Sequence, residues 1–512
     1  MRHVLPLFSR AALLATVTAI SGIPSALAMD AGSTGADGAF NPTVNTEVQL
    51  PESGILNYTT VNIPAGITVR FKKNSANTPA YLLASGDVVI AGNLDVAGED
   101  AKPTGTYGDG ILGDDAIPGS GGPGGYTGGR GGRDDTQQRA AVIRGGAGLG
   151  PGGGPGGIEG NDGCSPLGYY KYVGIGGAHA ANTYRYSGGC SNTPSAFGKN
   201  YGSSLLQPLA GGSGGGGGRG GTAYPGSGGG GGGGAILIAS SGTLRVTGAI
   251  NARGGDGGGI LGAGIGGQGA GGSGGAIRLM ATRVEGNGSL LAEGGCIHYN
   301  NNGRQRCTYD GGNGQGGSPG RIRIEAEAIT FSGTSAPAYV RDIPGAVFIA
   351  GAPTLRIVSV GGQAVPAETT GIADVVLPAS ASEGPLQIGF ETRNVPVGNV
   401  VNLRAVPAYG TAVEAASPAI EGTAAVGTAQ ASITLPAGPS TLQATTTYTV
   451  IVAALNDEAL GDRLSRLAQN ERVEKVEVTV SMDGGATAKL ITASGRSFDL
   501  PYTDIAAVGF RG

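Results

Sequence analysis

The sequence predicts an all-β protein in three parts. These are a parallel β-helix (a solenoid) with long glycine-rich insertions on one side, an immunoglobulin-like β-sandwich, and a small α+β C-terminal unit. Three observations carry the prediction. Four segments repeat one alternating pattern, glycine (104 of 512 residues) collects between those segments, and beyond residue 352 the chain turns to short Val-, Ala- and Thr-rich runs at near-regular spacing. Glycine is nearly three times its usual share of about 7%. No Gly-X-Y triplet runs through the chain, so collagen is excluded. Trp is absent and aromatics are only 5%, so a conventional large side-chain core is not expected in the glycine-rich part.

The chain opens with Arg2 and Arg10 around a short apolar run, Ala11 to Ile20, followed by Ala26-Leu27-Ala28. A charged start, an apolar middle and an A-x-A exit predict a signal peptide over residues 1–28. The run is shorter than the roughly 20 apolar residues that span a bilayer. The expected location is extracellular or the cell surface, with the periplasm as the alternative. Without Arg2 and Arg10, 31 basic residues face 37 acidic ones, a net charge of −6. That balance excludes nucleic acid as a natural partner, which calls for a clustered basic surface.

The β-helix is expected over residues 29–352. Its repeats are YLLASGDVVIAGNLDVAGE from Tyr81, ILIASSGTLRVTGAINARGG from Ile236, IRLMATRVEGNGSLLAEGG from Ile277 and IRIEAEAITFSGTSAPA from Ile322. Alternation places residues i and i+2 on one face. It predicts one inward ladder of Tyr81, Leu83, Ile236, Ile238, Ile277, Leu279, Ile322 and Ile324. A second joins Val88, Leu244, Val284 and Ile329, and a third Leu94, Ile250 and Leu290. Gly92, Gly248, Gly288 and Gly333 mark one recurring corner where a side chain is forbidden. The same register stacks Arg245 beside Glu285 and Arg253 beside Glu293 on the outside. Thr59 to Phe71 reads as a further, irregular first coil or cap.

Insertions over about 99–234, 254–275 and 294–320 all leave and rejoin the repeats at one corner, so they must protrude on one side. They are either disordered linker or extended glycine helices of polyproline II type packed side by side. The second option is favoured. Residues 353–455 carry short strands separated by Pro and Gly, the pattern of an Ig-like sandwich. The stretch SITLPAGPSTLQATTTYTVIVAAL resembles the final strands of such domains. In 456–512, Asn456 is the expected N-cap of an amphipathic helix with Leu460, Leu464 and Leu467 on one face. A hairpin around Asp483-Gly484-Gly485 follows.

Cys164, Cys190, Cys296 and Cys307 are the four cysteines. In an oxidising compartment, disulfides Cys164–Cys190 and Cys296–Cys307 are expected, although four cysteines allow three pairings. Neither CxxC spacing nor paired histidines indicate a metal, and His179 and His298 read as single surface-loop histidines.

With GGGGAILIASSGTLRVTGAINARGG and GGSGGAIRLMATRVEGNGSLLAEGG in view, the chain resembles the exported glycine-rich β-solenoid proteins of bacteria, loosely PE-PGRS-like. The resemblance covers about Asn57 to Gly333 and is one of composition and architecture. The helical N-terminal domain of the mycobacterial proteins is missing. The resemblance implies location more than activity.

Candidate chemistry is sparse. Tyr169, Tyr170, Tyr172, Tyr184 and Tyr186 concentrate aromatic side chains in a Cys-bounded loop, either as a small core for an otherwise glycine-only insertion or as a surface for a glycan or a protein. A polysaccharide lyase or hydrolase would need carboxylates with Arg or Lys on one outer face. Asp95, Arg245, Arg253, Arg278, Glu285 and Glu293 are the candidates, and they read better as solvated ladder residues. Calcium would need an acidic cluster such as Glu99, Asp100, Asp109, Asp114 and Asp115. The calcium nonapeptide pattern is not matched, since GGDGGGILG at Gly254 misplaces the Asp. The expectation is a structural or adhesive surface protein rather than an enzyme, with no cofactor. Its partners would be a glycan or a cell-surface protein, with self-association as a further option. The alternative is a carbohydrate-active β-helix enzyme.

Overall fold

The computed structural model describes residues 29–102, 116–137, 139–158, 172–186, 194–222, 224–259, 267–299, 304–307, 316–348, 351–365, 375–378, 384–407, 413–435, 440–482 and 485–511. The expected signal peptide lies outside them. Among the described residues strands dominate, and α-helix is confined to Ala140–Ile143, Glu458–Leu467 and Tyr502–Ala507. Among the described residues no helix is long and apolar enough to cross a membrane.

The repeats build two parallel sheets. One is nine-stranded and runs from Ala39–Phe40 through Thr60–Ile63, Val88–Ile90, Ala235–Val246, Ala276–Gly286 and Arg321–Phe331 to Val340–Asp342, with Ile55–Tyr58 and Ala80–Ala84 in register beside them. The other is six-stranded: Thr46–Gln49, Thr68–Lys72, Asn93–Asp95, Ala249–Asn251, Ser289–Leu291 and Thr334–Ala336. The chain alternates between the sheets, and one apolar core lies between them. The Thr59–Phe71 stretch supplies strands to both sheets, and Ala39–Phe40 and Thr46–Gln49 lie outside it as end strands.

The ladders follow the parallel register. Leu244 pairs with Val88 and Val284, and Ile250 with Leu94 and Leu290. The first repeat departs from expectation by one residue. Ile236 and Ile238 pair with Ala80 and Leu82, so Leu82 faces the inner core, while Tyr81 and Leu83 face the other side. The reason is that this strand is apolar on both faces. Its outer face packs under Met29, Ala31, Leu206 and Leu209, so alternation carries no signal there. The corner glycines stack. A Cβ on Gly248 would fall 1.8 Å from the Gly92 carbonyl oxygen, on Gly288 2.2 Å from that of Gly248, and on Gly333 2.0 Å from that of Gly288. Close approach, rather than a left-handed backbone, requires glycine at this corner.

Two antiparallel sheets follow, of five and six strands. The strand Ser440–Ile451 pairs with Val400–Pro407 on one side and Val473–Ser481 on the other. The C-terminal strands Gly485–Thr492 and Ser497–Pro501 extend the same sheet. One core reaches from Leu355 to Phe510. The helix Glu458–Leu467 is capped by Asp457, not Asn456: the Asp457 side chain accepts from the Leu460 amide at 2.8 Å. Asn456 instead adopts the left-handed backbone (φ 51°) at the end of the preceding turn, a conformation that Asn tolerates. Leu460 and Leu464 are buried beneath this helix.

Candidate functional site

The three glycine insertions hydrogen-bond to one another as a bundle with no helical or sheet pattern in its main runs. Its centre is Gly211–Gly221, every residue of which is buried. Donors along this run rotate among neighbours with a period of three. Gly214, Gly217 and Gly220 donate to Leu149, Gly146 and Ile143; Gly215 and Gly218 donate to Gly230 and Ser227; Gly216 and Arg219 donate to Ile175 and Tyr172. The carbonyls point to three further neighbours. Gly212, Gly215 and Gly218 accept from Tyr126, Gly129 and Gly132. Gly214 and Gly217 accept from Gly154 and Gly157. Ser213, Gly216 and Arg219 accept from Ser273, Ala270 and Gly267. An extended chain with three residues per turn and no internal hydrogen bonds has the polyproline II geometry. Here its bonds run outward, to six surrounding stretches. Gly226–Gly234 is embedded in the same way.

Such packing leaves no room for side chains. A Cβ on Gly215 would meet the Ala270 carbonyl oxygen at 2.2 Å, on Gly216 that of Pro155 at 2.1 Å, and on Gly217 that of Arg130 at 1.9 Å. Three serine side chains at the base of the bundle take lattice positions. Ser213, Ser273 and Ser318 sit in GGSGG, GGSGG and GGSPG where the bundle joins the repeats, and all three are fully buried. The Ser273 Oγ accepts from the Ser213 amide at 2.8 Å, and the Ser318 Oγ accepts from the His179 amide at 2.7 Å. The sequence reading missed these serines, although the recurring GGS was their visible signal.

His179 is not a surface residue. It is buried beside Tyr201, its ring 4.9 Å away and stacked, and its Nδ1–H donates to the Gly274 carbonyl at 2.9 Å. Burial first, and the Arg321 charge second, push its pKa down to about 3, so the ring is neutral. The His298 side chain lies outside the described residues, as do Cys164 and Cys190. Cys296 and Cys307 form a disulfide that closes the hairpin Ile297–Tyr299/Arg304–Arg306.

The tyrosines separate. Tyr169, Tyr170 and the side chain of Tyr186 lie outside the described residues. Tyr172 is at the far end of the bundle, with the Arg219 guanidinium 4.5 Å from its ring centroid. Tyr184 is half-buried in the hairpin Thr183–Tyr186/Pro194–Gly198, and its hydroxyl accepts from Asn182 at 3.2 Å.

The outer-face candidates are ion-paired. Arg253 donates to Glu293 at 2.6 Å, Arg245 lies 3.2 Å from Glu285, and Asp95 accepts from Arg70 at 3.1 Å. Arg278 departs from expectation, because it is 2% exposed instead of solvated. Its Nε and Nη2 donate to the two Glu325 oxygens at 2.9 and 3.0 Å, and Arg323 donates to Glu325 at 2.6 Å. The segment from Val340 crosses above them: Gly345 N–H donates to Glu325, and the Ala346 and Val347 carbonyls accept from Arg278. Burial pushes the Glu325 carboxyl up, but bonds from Arg278 and Arg323 outweigh it and hold the group below its ordinary range.

Of the acidic stretch, Asp109, Asp114 and Asp115 lie outside the described residues. Asp100 accepts from the Asp256 amide and Asp256 from the Cys296 amide, each at 2.7 Å. Among the described residues no group of three His, Cys, Asp or Glu is placed to hold a metal. No protein-family profile, curated protein or solved structure matches the chain.

Proposed function

We propose that the chain is an exported structural or adhesive protein of the cell surface. In this reading a parallel β-helix is the shaft, an Ig-like sandwich follows it, and the glycine insertions form a stiff bundle whose far end contacts a glycan or a protein. The observation that carries the reading is the hydrogen-bonded glycine lattice. A bundle whose central run has six bonded neighbours is a rigid mount for short tips, and loops held on a rigid scaffold are the usual place for recognition.

Tyr172, half-buried at the far end over the buried Arg219, and the disulfide-closed hairpin at Cys296–Cys307 are the short tips in this reading, and aromatic side chains are enriched where proteins bind. The enzymatic alternative gains nothing from the ladder, because Glu285 and Glu293 are both held by arginines. The test is an array of glycans and surface proteins, run beside an assay for reducing and unsaturated sugar products. The reading expects capture without turnover, with at least one captured glycan or protein lost in Tyr172→Ala. Turnover would overturn it.

A further inference from the structure

Where the bundle base meets the C-terminal sheet, a cleft of about 520 Å³ opens between Asn200–Pro208 on one wall and the strands Val473–Ser481, Gly485–Thr492 and Ser497–Pro501 on the other. It shares Gln207, Pro208 and Ala486 with a neighbouring, smaller and mainly apolar chamber of about 220 Å³ lined by Leu206, Phe348 and Tyr502. One wall belongs to the first glycine-rich insertion and the other to the C-terminal sheet, and the sequence reading did not single the junction out.

Three charged residues line the cleft in one row. Lys489 pairs directly across the sheet with Glu477 on one side and Asp499 on the other. Cross-strand neighbours of this kind have Cβ atoms about 5 Å apart and commonly pair. None of the three takes part in an ion pair or a side-chain hydrogen bond, so their head groups are open to a ligand. Thr487 is exposed in the next position, and Asn200 faces the row from the opposite wall.

Both walls are firmly held. Val478 and Leu490 are fully buried behind the row. Across the cleft, Leu206 N–H donates to the Ser203 carbonyl at 3.1 Å, Gln207 Nε2 to the Ala346 carbonyl at 2.5 Å, and Arg321 to the Tyr201 carbonyl at 2.6 Å. Ligand sites favour module junctions of this kind, preformed and combining an apolar body with a few convergent polar groups.

We infer that this cleft binds a neutral oligosaccharide. Two carboxylates accept hydrogen bonds from sugar hydroxyls, while the Lys489 ammonium and the Asn200 amide donate to hydroxyl and ring oxygens. The apolar chamber takes the C–H face of a sugar residue. Two acids against one base leave the row at −1, which disfavours an anionic polymer. A basic peptide fits less well. Lys489 sits at the centre of the row, and the edge strand Ser497–Pro501 ends in a proline that cannot donate to an added strand.

The inference stands apart from the reading of the bundle tips, and titration separates them. The purified protein is titrated with manno-, cello- and chito-oligosaccharides by calorimetry and saturation-transfer NMR, at low and high salt. One arm uses Glu477→Gln with Asp499→Asn, a second uses Thr487→Tyr to fill the cleft, and a third uses Tyr172→Ala at the tip. The expected result is binding that changes little with salt, falls at least tenfold in the first two arms and is unchanged in the third. Binding that survives both cleft arms but is lost in Tyr172→Ala overturns the cleft and leaves the tip reading standing. No binding of any oligosaccharide, or salt-sensitive capture of a polylysine peptide instead, also overturns it.

Discussion

The repeat sheets and the glycine bundle are joined end to end, yet their interiors are built on opposite terms. In the repeats the buried material is side chain: Ile236, Ile238, Leu244, Ile277, Leu279 and Val284 are all fully buried in one cluster. In the bundle the buried material is backbone, and the runs Gly211–Gly218 and Gly226–Gly234 owe their packing to having almost no side chains. Glycine loses the most conformational freedom on ordering, and the bundle offsets that loss by giving nearly every amide in its central run a partner on another segment. The lesson is that a glycine-rich stretch need not be a linker when its neighbours come back beside it often enough.

The two interiors should therefore fail in opposite directions, and that is the largest effect expected. Adding atoms should break the bundle. Gly217→Val would drive a side chain into the Arg130 carbonyl, with a cost above about 4 kcal/mol, in the range reserved for outright packing failure. Removing atoms should break the repeats: Ile238→Ala should cost about 2–5 kcal/mol. Urea melts of both variants check this, with exchange-labelled peptides from each region to show where unfolding begins. A Gly217→Val protein as stable as the parent would erase the distinction.

Next in size is the charged cluster beneath the segment after Val340. Glu325→Gln leaves Arg278 and Arg323 buried without their shared carboxylate, and losing one partner of a buried pair costs about 3–5 kcal/mol. The same cluster and His179 give both regions acid sensitivity of one sign. Glu325 is depressed in the fold, so its contribution is present above the unfolded Glu value of about 4.3 and is lost as the pH falls below it. His179 is held at about 3, so below the unfolded value of about 6.5 the unfolded chain takes up a proton that the folded chain refuses. Each unit of falling pH then costs up to about 1.4 kcal/mol. Thermal melts of His179→Gln should lose the pH 6 to 4 part of this slope, and those of Glu325→Gln the part below it.

How much was legible follows the same division. Wherever one face of a strand was polar, the repeats could be read: Leu244, Ile250 and Leu290 stand where alternation puts them, as do the stacked glycines. Tyr81 and Leu83 were misplaced because the strand Ala80–Ala84 is buried on both faces, and a period of two cannot tell one face from the other. Arg278 looked solvated because its partner Glu325 lies in the neighbouring repeat and its cover comes from residues 345–347, which carry no pattern. The bundle could be suspected from the shared corner. Its lattice could not be read, because a run of identical glycines has no phase to mark which amide meets which carbonyl. Only the serines of GGSGG, GGSGG and GGSPG carry such a mark. The cleft escaped notice because Glu477, Lys489 and Asp499 meet only through the register of three strands.

The smallest effects sharpen the comparison from the surface. Arg253→Ala should cost no more than about 1 kcal/mol, since its pair with Glu293 is exposed. Asp457→Ala, which removes the helix cap, should cost about 1 kcal/mol. Denaturant midpoints resolve both, and a larger loss in Arg253→Ala would give the outer ladder a role beyond ion pairing.

The central claim is that glycine-only chain is as firmly held as the strands it springs from. Amide hydrogen exchange tests it most directly, comparing peptides within Gly211–Gly221 with peptides within Ala235–Val246. Slow exchange in both, lost together on unfolding, is the result predicted. Exchange of the Gly211–Gly221 amides at the rate of an unstructured peptide, while the strand amides stay protected, would contradict it.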